Sequence, residues 1–245
     1  MRLMKAAPAR QFGQACLVVL IATGLLLAWP GRTGINAQGM DVDLALVLAI
    51  DCSYSVDDRE FRLQMDGMAA AFRTPEVQRA IAEGQIGKIA VSVALWSSHK
   101  FQKVSVPWTI VANPADAEKF ARIIEKAPRS IPVAGTSVSE AMRFSAKLLR
   151  AAPVNARRQV IDVSSDGRNN SGVAPPLIRD QLAAGGITIN ALVVPSQEWT
   201  VLDKWFERNV VGGPFHFVII ADTYDDYAEA IYRKLLREIT GPGIS

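Results

Sequence analysis

The chain is poor in the two residue types that supply most soft metal ligands. Its 245 residues include two cysteines and two histidines. His99 and His216 lie far apart, and neither has a cysteine or histidine neighbour at the spacing of a zinc site. Cys16 falls in the N-terminal segment described below, and without that segment Cys52 has no partner for an internal disulfide. We predict that both histidines pack in the core or at an edge, with a catalytic or metal-binding role as the alternative. Cys52 is predicted to be a small, largely buried residue at a strand end, with a reactive thiol as the alternative.

Several short motifs of common enzyme classes are also missing. The chain has no Gly-x-x-x-x-Gly-Lys-[Ser/Thr] phosphate loop, no Gly-x-Ser-x-Gly nucleophile elbow and no dinucleotide-binding glycine cluster. Lysine and arginine do not cluster as they do in proteins that bind nucleic acid or anionic membranes. We therefore expect neither catalysis nor a nucleic-acid partner.

The first 37 residues differ in composition from the rest of the chain. Three basic side chains among the first ten residues precede an uncharged apolar run of 15 residues, Ala15 to Trp29. This order is typical of a secretory signal peptide, and the run is shorter than the roughly 20 residues of a membrane-spanning helix. We predict a signal peptide over residues 1–37, with an uncleaved membrane anchor as the alternative. Either form places the remainder in the periplasm or outside the cell.

Residues 38–245 are expected to form a single domain. Their 208 residues are enough for one sizeable hydrophobic core. They carry 23 basic and 24 acidic side chains, so the positive net charge of the full chain comes from the leader. Contact with a membrane is therefore expected only if the leader is retained.

Strands and helices alternate along this region. Leu44 to Ile50 is an unbroken apolar run, which predicts a strand buried on both faces. Further strands are predicted at 89–96, 104–108, 159–165, 187–194 and 215–220. Helices are predicted between them, including one that ends before Pro75 and one at 198–206. Pro107 places the third strand at an edge, because proline lacks a backbone donor. The alternation predicts an α/β fold: a doubly wound, mostly parallel sheet with one antiparallel edge strand and helices on both faces.

Oxygen-bearing side chains follow strands or crossovers in three separate loops. Asp51, Ser53 and Ser55 directly follow the first strand. Thr136 ends a second loop, and Asp166 follows the strand that ends at residue 165. Because a doubly wound sheet gathers the carboxyl ends of its strands at one edge, we expect these side chains to converge. Carboxylate and hydroxyl oxygens suit hard divalent cations.

The order Asp-x-Ser-x-Ser, then a distant Thr, then a distant Asp resembles the metal-ion-dependent adhesion site of von Willebrand factor type A domains. All five positions are filled here, and the resemblance extends from Asp43 to the last helix. The segment from Val160 to Asn170 is similar to a poorly characterised group of exported bacterial proteins that contain this domain.

The resemblance implies a role for each of the five residues. Ser53, Ser55 and Thr136 would bind the metal directly, and Asp51 and Asp166 would hold it chiefly through water. Mg²⁺ is the expected ion, with Mn²⁺ or Ca²⁺ as alternatives. A neutral donor set leaves the ion electron-poor, so a protein partner would complete its coordination with an acidic side chain. A related domain that no longer binds metal is the alternative within the family.

Other residues near these loops have competing interpretations. Asp162 is predicted to be locally hydrogen-bonded or edge-facing, with support of the metal site as the alternative. Asn169 and Asn170 either rim the site or form a turn. The tryptophans after the leader, including Trp199 and Trp205, are expected to pack rather than to line a ligand site. Ser55 and Asp166 would cap helices if the loops bound nothing.

An enzymatic alternative also involves the first loop. Asp51 follows its strand as the nucleophile of haloacid-dehalogenase-like phosphatases does. The second acidic residue of that motif is replaced here by Ser53. A metal-dependent hydrolase is therefore the weaker hypothesis.

Overall fold

The computed structural model describes residues 39–196 and 199–241, and the signal peptide predicted over residues 1–37 lies outside them. Within the described part of the chain, no helix combines the length and hydropathy needed to cross a bilayer. The strands are β1 (Met40–Asp51), β2 (Ile89–Trp96), β3 (Gln102–Val111), β4 (Val154–Ser165), β5 (Thr188–Val193) and β6 (Val218–Ile220). The helices are α1 (Asp58–Arg73), α2 (Pro75–Ala82), α3 (Pro114–Lys126), α4 (Val138–Arg150), α5 (Pro175–Ala184), α6 (Leu202–Asn209) and α7 (Tyr227–Thr240).

The six strands form one sheet in the order β3-β2-β1-β4-β5-β6. Every neighbouring pair is parallel except β2 and β3, which are antiparallel. Pro107 lies in β3 at the edge, where its missing donor interrupts no inner ladder. The predicted α/β fold, with one antiparallel edge strand, is confirmed.

Both faces of β1 are covered by helices. Leu44, Leu46 and Leu48 join one buried cluster with side chains of α1, α2, α3 and α7. Ala45 and Val47, which point the other way, join a second cluster with α4, α5 and α6. An apolar run without alternation is thus explained by burial on both sides.

Two helices differ from the sequence interpretation. Pro75, which was expected only to end α1, also begins α2, because proline fits the first position of a helix and Thr74 caps it. Helix α6 ends at Asn209, three residues beyond the predicted end. Its buried side chains Leu202 and Phe206 are one turn apart and anchor it to the core.

The chain reverses its winding direction at β1. From β1 it proceeds to β2 and β3 on one side of the sheet, and β4, β5 and β6 lie on the other. In the parallel register Ile50 is opposite Ser164, so the last residues of β1 and β4 are neighbours. Ligands of doubly wound sheets bind outside the carboxyl ends of the strands at such a switch point.

Candidate metal centre

Asp51 is the last residue of β1, and its side chain is fully buried. Its Oδ1 accepts a hydrogen bond of 2.7 Å from the backbone N–H of Ser53. Its Oδ2 accepts one of 2.5 Å from the hydroxyl of Ser165, the last residue of β4. The carboxylate is thus fixed both by its own loop and by the neighbouring strand. Ser165 was not among the predicted site residues, although its place next to Asp51 follows from the strand register.

The two serines of the first loop connect Asp51 to Asp166. The hydroxyl oxygens of Ser53 and Ser55 are 3.2 Å apart. The Ser55 hydroxyl donates a hydrogen bond of 2.6 Å to Oδ1 of Asp166. Ser53 is buried and Ser55 is exposed, so the group reaches from the interior to the surface.

Thr136 lies beside this group at the start of α4. A Cβ added to Gly167 would be 3.6 Å from Oγ1 of Thr136 and 4.0 Å from Oγ of Ser55. The absence of a side chain at Gly167 therefore leaves space next to both hydroxyls. The structure brings all five predicted side chains to one edge of the sheet, and their role as metal ligands stays a prediction.

Asn169 and Asn170 tie the third loop to the second. The side-chain Oδ1 of Asn170 accepts a hydrogen bond of 2.8 Å from the backbone N–H of Thr136. The backbone N–H of Asn170 in turn donates to the carbonyl of Thr136 at 2.9 Å. Asn169 accepts from the backbone N–H of Ser139 at 3.2 Å. Asn170 thus sets the position of Thr136, and Asn169 holds the first turn of α4 that follows it.

Arg129 supports the first loop through hydrogen bonds to its backbone. Its Nη2 donates to the carbonyls of Cys52, Ser53 and Val56 at 3.1, 3.2 and 2.6 Å. Its Nη1 forms a salt bridge of 2.9 Å with Asp58 at the start of α1. Sequence reasoning missed Arg129, because a single arginine in a loop carries no periodic signal.

Burial raises the pKa of both carboxyl groups, and the charge of Asp166 adds to the effect at Asp51. The pKa of Asp51 is raised to about 7, mainly by burial and secondly by the negative charge of Asp166. Burial likewise raises the pKa of Asp166, against the hydrogen bond from Ser55. A nearby cation would favour the ionised form of both.

The donor atoms fit a hard divalent cation. Among the described residues, no group of three or more His, Cys, Asp and Glu side chains is placed to hold a metal. The hydroxyls must then supply part of any coordination, and hydroxyl and carboxylate oxygens are suitable ligands for Mg²⁺, Mn²⁺ or Ca²⁺. Cys52 offers no thiolate, since burial raises its pKa to about 12 and its Sγ lies 3.9 Å from the carbonyl of Ile50.

A cavity of about 350 Å³ opens next to these residues. Ser55, Thr136 and Asp166 line it on one side. Trp199 and Trp205 also line it, although both pack against the second core cluster as well. The expectation that these tryptophans serve only in packing was therefore incomplete.

The structure also shows the surroundings of the two histidines and of Cys52. Both histidines are exposed, so neither packs in the core. His99 contacts the hydroxyl of Ser171 through Nδ1 at 2.6 Å, and His216 contacts the carbonyl of Gly213 at 2.7 Å. Cys52 is buried at the strand end, as predicted.

Asp162 forms part of a buried ionic group between β4 and α7. Its Oδ2 is 2.7 Å from Nζ of Lys234, and the same Nζ is 2.5 Å from Oε1 of Glu238. All three side chains are almost completely buried. Asp162 does not occupy the predicted edge position, because β4 lies between β1 and β5. It is a buried carboxylate that has a charged partner.

Residues 41–243 match the sequence profile of a family described as a protein of unknown function, DUF1194. The chain belongs to this family. No curated protein matches it at a significant level. The profile covers nearly all of the described residues, including the three loops of the candidate site, so those loops are part of the DUF1194 domain itself.

Solved structures show that this DUF1194 domain has the von Willebrand factor type A fold. Proximal thread matrix protein 1 from the mussel byssus, solved with a zinc-occupied MIDAS motif, has a TM-score of 0.58 at 15% identity over 83% of this chain and 49% of that one. A von Willebrand factor type A protein from Catenulispora acidiphila has a TM-score of 0.54 at 17% identity over 82% and 43%. The pilus adhesin SpaC from Lactobacillus rhamnosus GG has a TM-score of 0.56 at 13% identity over 83% and 31%. The chain thus spans less than half the length of each neighbour.

Proposed function

We propose that this protein is an exported module that binds a divalent cation and uses it to recognise an acidic side chain of a protein partner. The observation that carries the proposal is the hydrogen-bonded series from Asp51 through Ser53 and Ser55 to Asp166, with Thr136 beside it. This series collects oxygen donors from three loops at the switch point of the sheet. A group of buried, mutually repelling carboxylates is costly unless a cation or proton compensates it.

The three hydroxyls are the proposed direct ligands, and the two carboxylates are proposed to act through water. Both oxygens of Asp51 already accept hydrogen bonds, from Ser53 and Ser165. Such a carboxylate is suited to orienting bound water rather than to direct coordination. Mg²⁺ is the proposed ion, and the zinc-occupied motif of the mussel protein supports a divalent cation at this edge of the fold.

A bound cation would supply a Lewis-acidic point for a carboxylate of the partner. The surface around the site suits a protein contact, because apolar side chains are exposed in all three loops. Tyr54 is 77% exposed, and Val133 and Val173 are exposed as well. Apolar contacts around a charged centre are typical of protein interfaces.

We propose recognition rather than catalysis. A phosphatase of the type considered above would need Asp51 as its nucleophile. Asp51 is fully buried, and each of its oxygens is already hydrogen-bonded. The side chain therefore lacks the access to substrate that a nucleophile requires.

Calorimetric titration of the purified protein with Mg²⁺, Mn²⁺ and Ca²⁺ tests metal binding. We expect saturable binding of at least one ion, and loss of that binding in a double variant that combines Asp51→Ala and Asp166→Ala. The matched control is Asp66→Ala, which removes an exposed carboxylate of α1 outside the site. Equal binding by the double variant and the control would contradict the proposal.

Capture from an exported protein fraction, with and without EDTA, tests partner recognition. We expect a partner that is retained with metal, released by EDTA, and lost when its acidic residues are changed to amides. Metal-dependent turnover of a generic phosphate ester that disappears in Asp51→Asn would instead favour a hydrolase.

A further inference from the structure

Arg168 lines the same cavity as three of the proposed metal-site residues. The cavity wall includes Arg168 together with Ser55, Thr136 and Asp166. The Nε of Arg168 is buried, and it has no hydrogen-bond partner among the residues that the structure describes. A buried donor without a partner costs free energy, which a ligand that accepts the hydrogen bond would recover.

The indole of Trp199 orients this guanidinium. The Cζ of Arg168 lies 4.4 Å from the ring centroid of Trp199, within the range of a cation–π contact. Trp199 in turn packs against the second core cluster. The planar guanidinium is therefore held in place before any ligand arrives, and its fork of donors matches the two oxygens of a carboxylate.

The known contacts of the site do not explain this arginine. Arg129 is engaged with three backbone carbonyls and Asp58. Arg168 has no comparable set of partners within the described residues.

We propose that the cavity binds two neighbouring carboxylates of one partner segment, the first at the metal and the second at the guanidinium of Arg168. The faces of Trp199 and Trp205 that line the cavity would contact the aliphatic carbons between the two carboxylates. This inference rests on the proposed function, because the first carboxylate is the one that binds the metal. It adds the requirement that the partner presents a pair of acidic groups rather than one.

Linear dicarboxylates and their monomethyl esters test the proposal, since each ester has the same chain with one charge fewer. The probes are succinate, glutarate and adipate, added to the Mn²⁺-loaded full-length protein. Water-proton relaxation by bound Mn²⁺ reports displacement of a metal-bound water, and tryptophan fluorescence reports contact with the indoles. We expect at least one diacid to bind about tenfold more tightly than its ester, as a charge-assisted hydrogen bond predicts.

Arg168→Gln should abolish this preference while leaving the affinity for Mn²⁺ and for the esters unchanged. Arg168→Lys keeps the charge without the planar guanidinium, so it should retain part of the preference for diacids. This variant also serves as the second test if the glutamine substitution impairs folding. The matched control is Arg122→Gln, an exposed arginine of α3 that lies outside the cavity.

The outcomes separate this inference from the proposed function. Binding of Mn²⁺ and of the esters, with equal affinity for diacid and ester at every length, would overturn the two-carboxylate inference alone. A preference for diacids that persists in Arg168→Gln would also overturn it. Absence of binding of Mg²⁺, Mn²⁺ and Ca²⁺ alike would overturn the proposed function, and this inference with it. If only Mg²⁺ or Ca²⁺ binds, tryptophan fluorescence makes the same comparison of diacid and ester with that ion.

Discussion

The hydroxyl of Ser165 donates a hydrogen bond of 2.5 Å to Oδ2 of Asp51 and so joins the ends of β4 and β1. These two strands lie on either side of the point where the sheet reverses its winding. The contact occupies one oxygen of Asp51, while the backbone N–H of Ser53 occupies the other. The orientation of the first loop therefore depends on a residue outside that loop.

Ser165→Ala should lower both the stability of the protein and its metal affinity. The substitution leaves an oxygen of the buried Asp51 without a donor, which costs about 1 to 3 kcal/mol of unfolding free energy. Metal affinity should fall by about tenfold, as it does when an outer partner of a ligand is removed. Urea denaturation and calorimetric titration measure the two effects.

The control for that substitution is Ser145→Ala. Ser145 is also buried, and its hydroxyl has no hydrogen-bond partner within the described part of the chain. Its replacement should leave metal affinity unchanged. If both alanine variants bound metal as the wild type does, Ser165 would have no role at the site.

Asn170→Ala should weaken metal binding without touching a proposed ligand. The amide of Asn170 holds the backbone of Thr136, so its loss frees the second loop. We expect a loss of about tenfold in affinity for Mg²⁺ or Mn²⁺, measured by calorimetry. Asn155→Ala is the control, because Asn155 contacts Gly39 and Asp41 at the opposite end of the sheet. Unchanged affinity in Asn170→Ala would contradict this role.

Lys234→Met should destabilise the protein strongly. Lys234 is the only cation paired with the buried carboxylates of Asp162 and Glu238 in the described structure. Removing one member of a buried ion pair costs about 3 to 5 kcal/mol, because the remaining charge is uncompensated. Chemical denaturation measures the change. A further Asp162→Asn substitution should restore part of the loss, and no restoration would show that the two residues are not coupled.

The pH dependence of stability should reveal the carboxyl of Asp162. Burial, opposed by Lys234, raises its pKa from 3.8 to about 7. The folded state then binds a proton that the unfolded state has released, so this group's contribution to stability is lost as the pH rises from about 4 to about 7. Asp162→Asn should therefore flatten the decline in unfolding free energy over that range. Urea titrations at several pH values, with Asp66→Asn as the control, check the sign.

The alternation of strands and helices could be predicted because it reflects local backbone geometry. The apolar run before Asp51 indicates a buried strand, and buried strands at the centre of such sheets are parallel. The same pattern placed Thr136 and Asp166 at the carboxyl edge. Helix α2 was missed because Pro75 both ends one helix and begins the next, and a proline signal alone does not distinguish the two events.

The predictions that failed concern contacts between distant elements. Asp162 was interpreted from its own strand, where nothing indicates that Lys234 of α7 faces it. The histidines were assigned to core or edge packing from their position near strands, but both side chains are exposed. The contacts and the exposure of these side chains depend on which faces of two elements pack together. The periodic pattern of a single sequence does not reveal that packing.

The sequence by itself determined which residue types stand directly after each strand, and therefore which oxygens reach the edge of the sheet. The reason is covalent: the residue that follows a buried strand emerges at its end whatever the rest of the chain does. Only the tertiary structure decided that Ser165 holds Asp51, that Arg129 supports the first loop and that Arg168 lies stacked on Trp199. These pairings join residues from separate elements, and they arise from packing between surfaces that meet only in the folded protein.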